Sequence, residues 1–232
     1  MPALPDATSL RDIPLFAGLE REQLEQVNQR LRMHRFPAGT NVMTAETPGE
    51  TVYIIYTGTV KIKMDTADGD EVIIALLGAG DIVGEMSVID SAGRSADVLT
   101  IEDSRLLWLD RSAFNDLVDS IPLVARNLLK ILSGRVRMST GQIVSLCTHD
   151  VYGRVAHQIL VFADRYGVPG EAGVTIPIRL TQSDFAGLVG ASRERVNQQF
   201  VALRNSKLIS VDHSYRITVH NIERLREIVR SR

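Results

Sequence analysis

The apolar pattern passes from short β-rich runs to a helical period near Ser112, and that change limits the possible folds more than any other feature. Before it, residues 36–111 hold short β-rich runs at 52–56, 60–64, 72–77 and 106–109. Thr57 with Gly58, the triplet Ala67, Asp68 and Gly69, and the triplet Gly78, Ala79 and Gly80 separate them. Strands at this spacing, broken by Gly and Asp-Gly turns, predict a sandwich or barrel. Trp108 alternates with Leu107 and Leu109, so it is expected to serve the sheet. Residues 10–34 read as short helices, with Leu19, Leu24, Val27 and Leu31 near a 3.6-residue period.

After Ser112 the pattern is helical, and its longest stretch runs over 122–148. Ala125, Leu129, Leu132, Val136, Ser139, Ile143 and Leu146 recur in alternating steps of four and three. That is the a/d stripe of a two-stranded coiled coil. An amphipathic helix covering its own core would show a similar stripe. Gly134 and Gly141 weaken the helix in isolation, so it needs packing support. Ser139 puts a polar group into the seam, which costs stability unless it has a partner. The lone cysteine, Cys147, excludes an intrachain disulfide or a thiolate cluster and is expected to be a buried structural thiol.

Beyond Asp150 a second domain is expected. A helix over 151–166 aligns Val151, Val155, Ile159 and Phe162, a turn-rich loop spans 167–173, and a strand spans 175–180. Two short helices, a hairpin at 208–211 and 215–219, and a basic helix over 221–232 follow. Charge divides at the same place: residues 1–150 carry −7 and residues 151–232 carry +5, although the whole chain is only −2. A basic segment of this kind suits a polyanion, though many basic faces are merely solvated.

The segment LTQSDFAGLVGASRERVNQQFVALR, residues 180–204, is the most specific motif. Thr181 with Asp184 forms a capping-box pattern, and Gly190 falls where a tight inter-helix turn needs a positive φ. Ser192 caps a second helix whose Val196, Phe200 and Leu203 face inward. Arg193, Glu194, Asn197 and Gln198 face outward near its start, where a major-groove helix meets base edges. Arg can donate twice to guanine and Glu can accept from cytosine. Thr181 and Ser192 sit where hydroxyls and backbone N–H groups meet phosphates. An ordinary helical hairpin with a solvated charged face is the plainer alternative.

A second motif, IVGEMSVIDSAGRSADV, covers residues 82–98 and reads as a short loop between strands. Gly84 lets backbone N–H groups approach an anion. Arg94 offers a fork for phosphate oxygens, Ser95 a hydroxyl, and Glu85 an acceptor for a sugar hydroxyl. Together they describe a ribose phosphate; a surface Glu–Arg pair of little energy is the alternative.

On these motifs the chain resembles the CRP/FNR superfamily, and within it the cyclic-AMP receptor branch. GEMSVIDSAGRSA is similar to that superfamily's phosphate-binding cassette, FPAG at 36–39 and YIIYTGTVK at 53–61 to its β-roll strands. DVYGR at 150–154 is similar to its hinge, and LTQSDFAGLVGASRERVNQ to its DNA-reading helices. The implied fold is α+β: a β-roll or jelly-roll cyclic-nucleotide-binding domain over 1–121, a dimerisation helix over 122–149 and a winged helix-turn-helix over 150–232. The resemblance implies that Gly84, Glu85, Met86 (through its backbone), Arg94 and Ser95 hold ribose and cyclic phosphate. It further implies that Ser139 and Thr140 meet adenine, one in its own subunit and one in the partner's. Arg193 and Glu194 match base-reading positions of a TGTGA-like half-site. Gln198 departs from the family's Arg; Gln pairs best with adenine or contacts less strongly, which leaves that base open.

The implied effector is cyclic AMP, and the implied partners are double-stranded DNA, a second copy of the chain and RNA polymerase. No metal, haem or iron–sulfur cluster is expected: His34 is the only N-terminal histidine, and cysteine clusters are absent. No P-loop, HExxH or GxSxG pattern occurs, so no enzyme activity is expected. The first ten residues lack the features of a secretory signal, and no apolar run is long enough to span a bilayer. A cytoplasmic protein outside the membrane is the expectation.

Overall fold

The computed structural model describes residues 6–65 and 71–230. The expected turn at Ala67, Asp68 and Gly69 lies outside the described residues. Two compact units divide within the long helix, Met1–Val136 and Arg137–Arg232.

The first unit opens with two 3-10 turns, Ala7–Asp12 and Pro14–Phe16, and helix α1, Arg21–Arg30. Strands β1 (Arg32–Phe36), β2 (Asn41–Met43), β3 (Thr51–Thr57), β4 (Val60–Asp65), β5 (Glu71–Leu77) and β6 (Ile82–Val83) follow. Helix α2 (Glu85–Ile89), strands β7 (Asp97–Thr100) and β8 (Ser104–Asp110), and helix α3 (Arg111–Ser120) lead into α4, Pro122–Thr148. Two antiparallel sheets result, ordered β1-β8-β3-β6 and β2-β7-β4-β5.

Period-2 alternation gives the first sheet two buried faces. Val52, Ile54, Leu107 and Leu109 pack with α1, α3 and the start of α4 around Phe16 and Phe114. Ile55 and Leu106, on the opposite face, pack against Met43, Val60, Leu77 and Val98 of the second sheet. This explains the near-continuous apolar runs, since only a strand buried on both sides lacks polar alternation. Trp108 lies across from Arg32 and Tyr53, with the Arg32 guanidinium 5.6 Å from its ring centroid.

Three local expectations are corrected here. Residues 32–34 are strand, not helix: Met33 is buried between exposed Arg32 and His34, and the strand pairs with β8. The polar residues flanking Met33 hid that single inward side chain. The short strands β2, β6 and β7 carry too few residues to show a period. The 82–98 motif contains a helix, α2, rather than loop alone.

In the second unit, α5 (Val151–Tyr166) starts at Asp150, whose carboxylate accepts from the Gly153 backbone N–H. Strands β9 (Val168–Gly170) and β10 (Gly173–Ile176), helices α6 (Gln182–Val189) and α7 (Arg193–Asn205), strands β11 (Ile209–Val211) and β12 (Ile217–Val219), and α8 (Ile222–Arg230) complete it. The sheet order is β11-β12-β10-β9. The expected 167–173 loop therefore includes a strand, with Val168 paired to Thr175 and Gly170 to Gly173. Phe162, Phe185 and Phe200 form the core, Phe185 meeting Phe200 edge-on at 4.9 Å between centroids.

Candidate effector site and nucleic-acid interface

The 82–98 motif folds around Gly84, which stands in the left-handed region at φ 82°, ψ 3° and caps α2. A Cβ there would lie 2.5 Å from Arg94 Nη1 and 2.5 Å from Met43 Cε, so a side chain would strain the backbone and displace both of these side-chain ends. Arg94 is 7% exposed. Its Nη1 donates to Gly84 O and to Ser87 Oγ, both at 2.8 Å, and its Nη2 donates to Thr51 O at 2.6 Å and Thr51 Oγ1 at 3.2 Å. The fork expected to face a phosphate is therefore engaged by the protein itself. Burial pulls the guanidinium pKa below its ordinary value, with the Glu85 charge among the groups opposing that shift.

Glu85 does not pair with Arg94. Its Oε1 accepts from Arg135 Nη1 of α4 at 2.5 Å, and Arg135 also donates to Ile82 O. The Glu85 side chain is 1% exposed, against 22% for Arg135. Burial pushes the Glu85 carboxyl pKa up, and the Arg135 charge pulls it back only in part. Glu85 Oε2 and Arg135 Nε are both buried without a hydrogen-bond partner. Buried polar atoms without a partner are uncommon in folded proteins.

Sequence reasoning missed Arg135, Ser87, Thr51 and Arg111. Arg111 donates to Gly49 O, Ser87 O and Ser91 Oγ, tying α2 to its neighbouring loops. No local pattern marks Arg135, Thr51 or Arg111, whose bonds to this region span between 20 and 62 residues of chain; Ser87 sits inside the motif, and only packing turns its Oγ to Arg94. Gly84, Glu85 and Arg94 are brought together, whereas Met86 is 49% exposed and Ser95 lies at the surface. Ser139 and Thr140 are exposed on α4 in the second unit.

On α4, Leu129, Val136 and Ile143 are 65%, 66% and 62% exposed at seven-residue spacing. This uncovered apolar row does not cover a core of its own chain, and it supports a homodimeric architecture. Cys147 corrects the sequence expectation: it is exposed. It follows Leu146 around the helix and falls outside the inward face, where Ser145 is buried instead.

The helix pair at 181–205 forms as its residues dictate. Thr181 Oγ1 accepts from the Asp184 N–H and the Asp184 carboxylate accepts from the Thr181 N–H, closing the capping box. Gly190 adopts φ 61°, ψ 49°, which turns the chain between α6 and α7. Ser192 accepts from the Arg195 N–H. Val196, Phe200 and Leu203 are buried, while Arg193, Glu194, Asn197 and Gln198 are exposed. Strands β11 and β12 add a wing whose turn is held by Asp212, its carboxylate accepting from the Ser214 and Arg216 N–H groups. Among the described residues no group of three or more His, Cys, Asp or Glu could hold a metal ion, and no helix is long and apolar enough to cross a membrane.

A cluster of Gly84 with the buried Glu85 and Arg94 in a two-sheet β domain and an exposed helix face in a winged helix-turn-helix fold define a regulator-type architecture, a small-molecule-type domain joined to a DNA-binding one. Known families agree: residues 33–120 match the cyclic nucleotide-binding domain, and residues 153–228 match the Crp-like helix-turn-helix domain. The chain is 35% identical over 184 residues to a CRP-like cAMP-activated global transcriptional regulator of Mycobacterium tuberculosis, covering 79% of this chain and 82% of the relative. It is 31% identical over 200 residues to a cyclic AMP receptor protein of Thermus thermophilus, covering 86% and 89%. The structure of FixK2 from Bradyrhizobium japonicum shares the fold, with a TM-score of 0.75 at 21% identity over 85% of this chain and 96% of that one. The chain belongs to the CRP/FNR superfamily of transcription regulators.

Proposed function

We propose that the chain is a homodimeric regulator switched by cyclic AMP and reading palindromic TGTGA-like DNA. The observation that carries the effector reading is the orphaned pair Glu85 Oε2 and Arg135 Nε beside the Gly84-capped start of α2. An acceptor and a donor buried together fit the hydroxyl of a bound sugar, which both donates and accepts. Cyclic AMP would supply that ribose, one phosphate charge and a planar base. The names of the Mycobacterium and Thermus relatives point to the same nucleotide.

In this reading Glu85 and Arg135 hold the ribose. Arg94 exchanges a protein oxygen for a phosphate oxygen, assisted by Ser95 and by backbone N–H groups at Gly84, Glu85 and Met86. Ser139 and Thr140 meet the base, one from each subunit. The sensor comprises residues 1–121, the pairing helix 122–149 and the reader 150–232. Ligand shifts the equilibrium only by its differential affinity for the two states of the dimer. Arg193, Glu194, Asn197 and Gln198 read bases, with Thr181 and Ser192 on phosphates. The protein acts in the cytoplasm, alongside RNA polymerase.

The test is a DNA-shift titration of the full chain on TGTGA-type palindromes with cyclic AMP, cyclic GMP or neither. Tightening by cyclic AMP alone, lost in Arg94→Leu and in Ser139→Ala with Thr140→Ala, is the expected result. Equal binding in all three conditions would overturn the effector assignment, and a preference for cyclic GMP would reassign the base contact.

A further inference from the structure

The fork of Arg94 is engaged by two kinds of oxygen. The terminal nitrogens of a guanidinium carry four N–H bonds, and here they make four hydrogen bonds. Two acceptors are backbone oxygens, Gly84 O at 2.8 Å and Thr51 O at 2.6 Å. Two are hydroxyls, Ser87 Oγ at 2.8 Å and Thr51 Oγ1 at 3.2 Å. Ser87 is the third residue of α2 and Thr51 the first of β3, so separate parts of the chain grip one guanidinium. Ser87 is buried, and its O–H donates to Gly84 O at 3.2 Å. The polarity of these bonds is fixed, since a guanidinium only donates and a backbone carbonyl only accepts.

A phosphate taken by this fork has to displace one of those acceptors, and the two kinds do not yield alike. The carbonyl oxygens are held by the backbone of β3 and by the Gly84 cap of α2. A hydroxyl withdraws by one rotamer change of its own side chain, with no movement of the backbone. An anionic oxygen also bonds a guanidinium more strongly than a neutral hydroxyl does, so the exchange runs toward phosphate. Each hydroxyl bond given up in the exchange is a bond that only the effector-free chain makes. It stabilises that state alone and subtracts from the affinity for the effector.

We infer that the Ser87 and Thr51 hydroxyls stand in for phosphate oxygens on Arg94 and set the concentration at which a phosphate-bearing effector displaces them. Ser87 and Thr51 are thereby positioning residues that tune sensitivity by holding Arg94, not by holding the ligand. The inference rests on the effector reading proposed above.

The experiment is calorimetry of the full chain with cyclic AMP, comparing the parent with Ser87→Ala and Thr51→Val. Ser87→Ala binds about fivefold tighter, the worth of one net hydrogen bond. Thr51→Val also binds tighter, by a smaller factor because its bond to Arg94 is the longer one. Thr51→Ser keeps a hydroxyl and gains less than Thr51→Val. The cyclic AMP concentration that gives a half-maximal DNA shift falls by the same factors. Thermal unfolding supplies a second readout. Ser87→Ala lowers the midpoint without nucleotide, and saturating cyclic AMP closes the gap to the parent. A hydroxyl that merely supports the fold would lower both midpoints alike. Unchanged or weaker cyclic AMP binding in Ser87→Ala and Thr51→Val, with the parent still binding, would overturn the exchange and leave the effector assignment intact. A parent chain that binds no cyclic nucleotide would overturn both.

Discussion

The Arg135→Ala variant is the sharpest test of how the effector site is built. It removes the cation beside a carboxylate that is 1% exposed, together with the bond from Arg135 to Ile82 O. Breaking a buried pair from one side costs about 3–5 kcal/mol, whereas an exposed pair is worth about 0–1 kcal/mol. The 22% exposure of Arg135 favours the low end of the buried range. Protonation of Glu85 also sets a ceiling. The ordinary carboxyl value is 4.5, so neutralising it at pH 7 costs ~3.4 kcal/mol at 1.36 kcal/mol per unit. Glu85 already carries part of that cost in the parent, because burial raises its pKa. The expected loss at pH 7 is therefore about 2–3 kcal/mol.

The pH dependence follows from the same shift. A carboxyl whose folded pKa lies above its unfolded value binds more protons when folded, so its penalty is absent below the unfolded pKa and grows as pH rises toward the folded one. Removing Arg135 raises the folded pKa further, so the gap to the parent should be small at pH 4.5 and full at pH 7. Urea unfolding followed by the single tryptophan, Trp108 on β8, reads this unit directly. Adding Glu85→Gln to Arg135→Ala should make the remaining loss nearly independent of pH. A loss under about 0.5 kcal/mol at pH 7, the scale of a solvated pair, or an equal loss at both pH values, would refute the reasoning.

Other consequences are as direct. Val136→Glu places a charge in the exposed seam of both chains; losing the burial of two valines at ~1.5 kcal/mol each should raise the dimer dissociation constant about 100-fold, read by sedimentation equilibrium. Gly84→Ala adds backbone strain to a 2.5 Å clash with Arg94 and Met43, and should abolish nucleotide binding in calorimetry while the helix-turn-helix unit keeps its fold. Gly190→Ala meets only Leu146 Cδ2 at 3.6 Å, so its cost is conformational, about 1–2 kcal/mol in thermal unfolding. DNA affinity should fall linearly in log–log terms with salt, and Arg193→Ala should both relax base preference and flatten that slope, as read in binding isotherms between 50 and 200 mM salt at roughly those limits.

Much of this architecture is local and therefore legible along the chain. Short β-rich runs between turn residues assign the longer strands, and the steps of four and three through Leu129, Val136 and Ile143 assign the long helix and its uncovered face. Thr181, Gly190 and Ser192 mark their helix ends because capping hydroxyls and positive φ are properties of one turn of chain. Local reasoning failed where few residues carry a signal, as at Met33 in β1, or where a residue falls just off the inward face of a helix, as at Cys147.

The sequence alone determines the longer helices and strands and the capped helix ends, since backbone sterics and apolar spacing act over a few residues. Only the tertiary structure decides the pairings. Glu85 finds Arg135 fifty positions away rather than Arg94, Arg94 spends its fork on Gly84, Ser87 and Thr51, and Gln182 reaches Asn197 across two helices. A charged or polar side chain takes the partner that packing brings within about 3 Å, and no spacing along the chain encodes that distance.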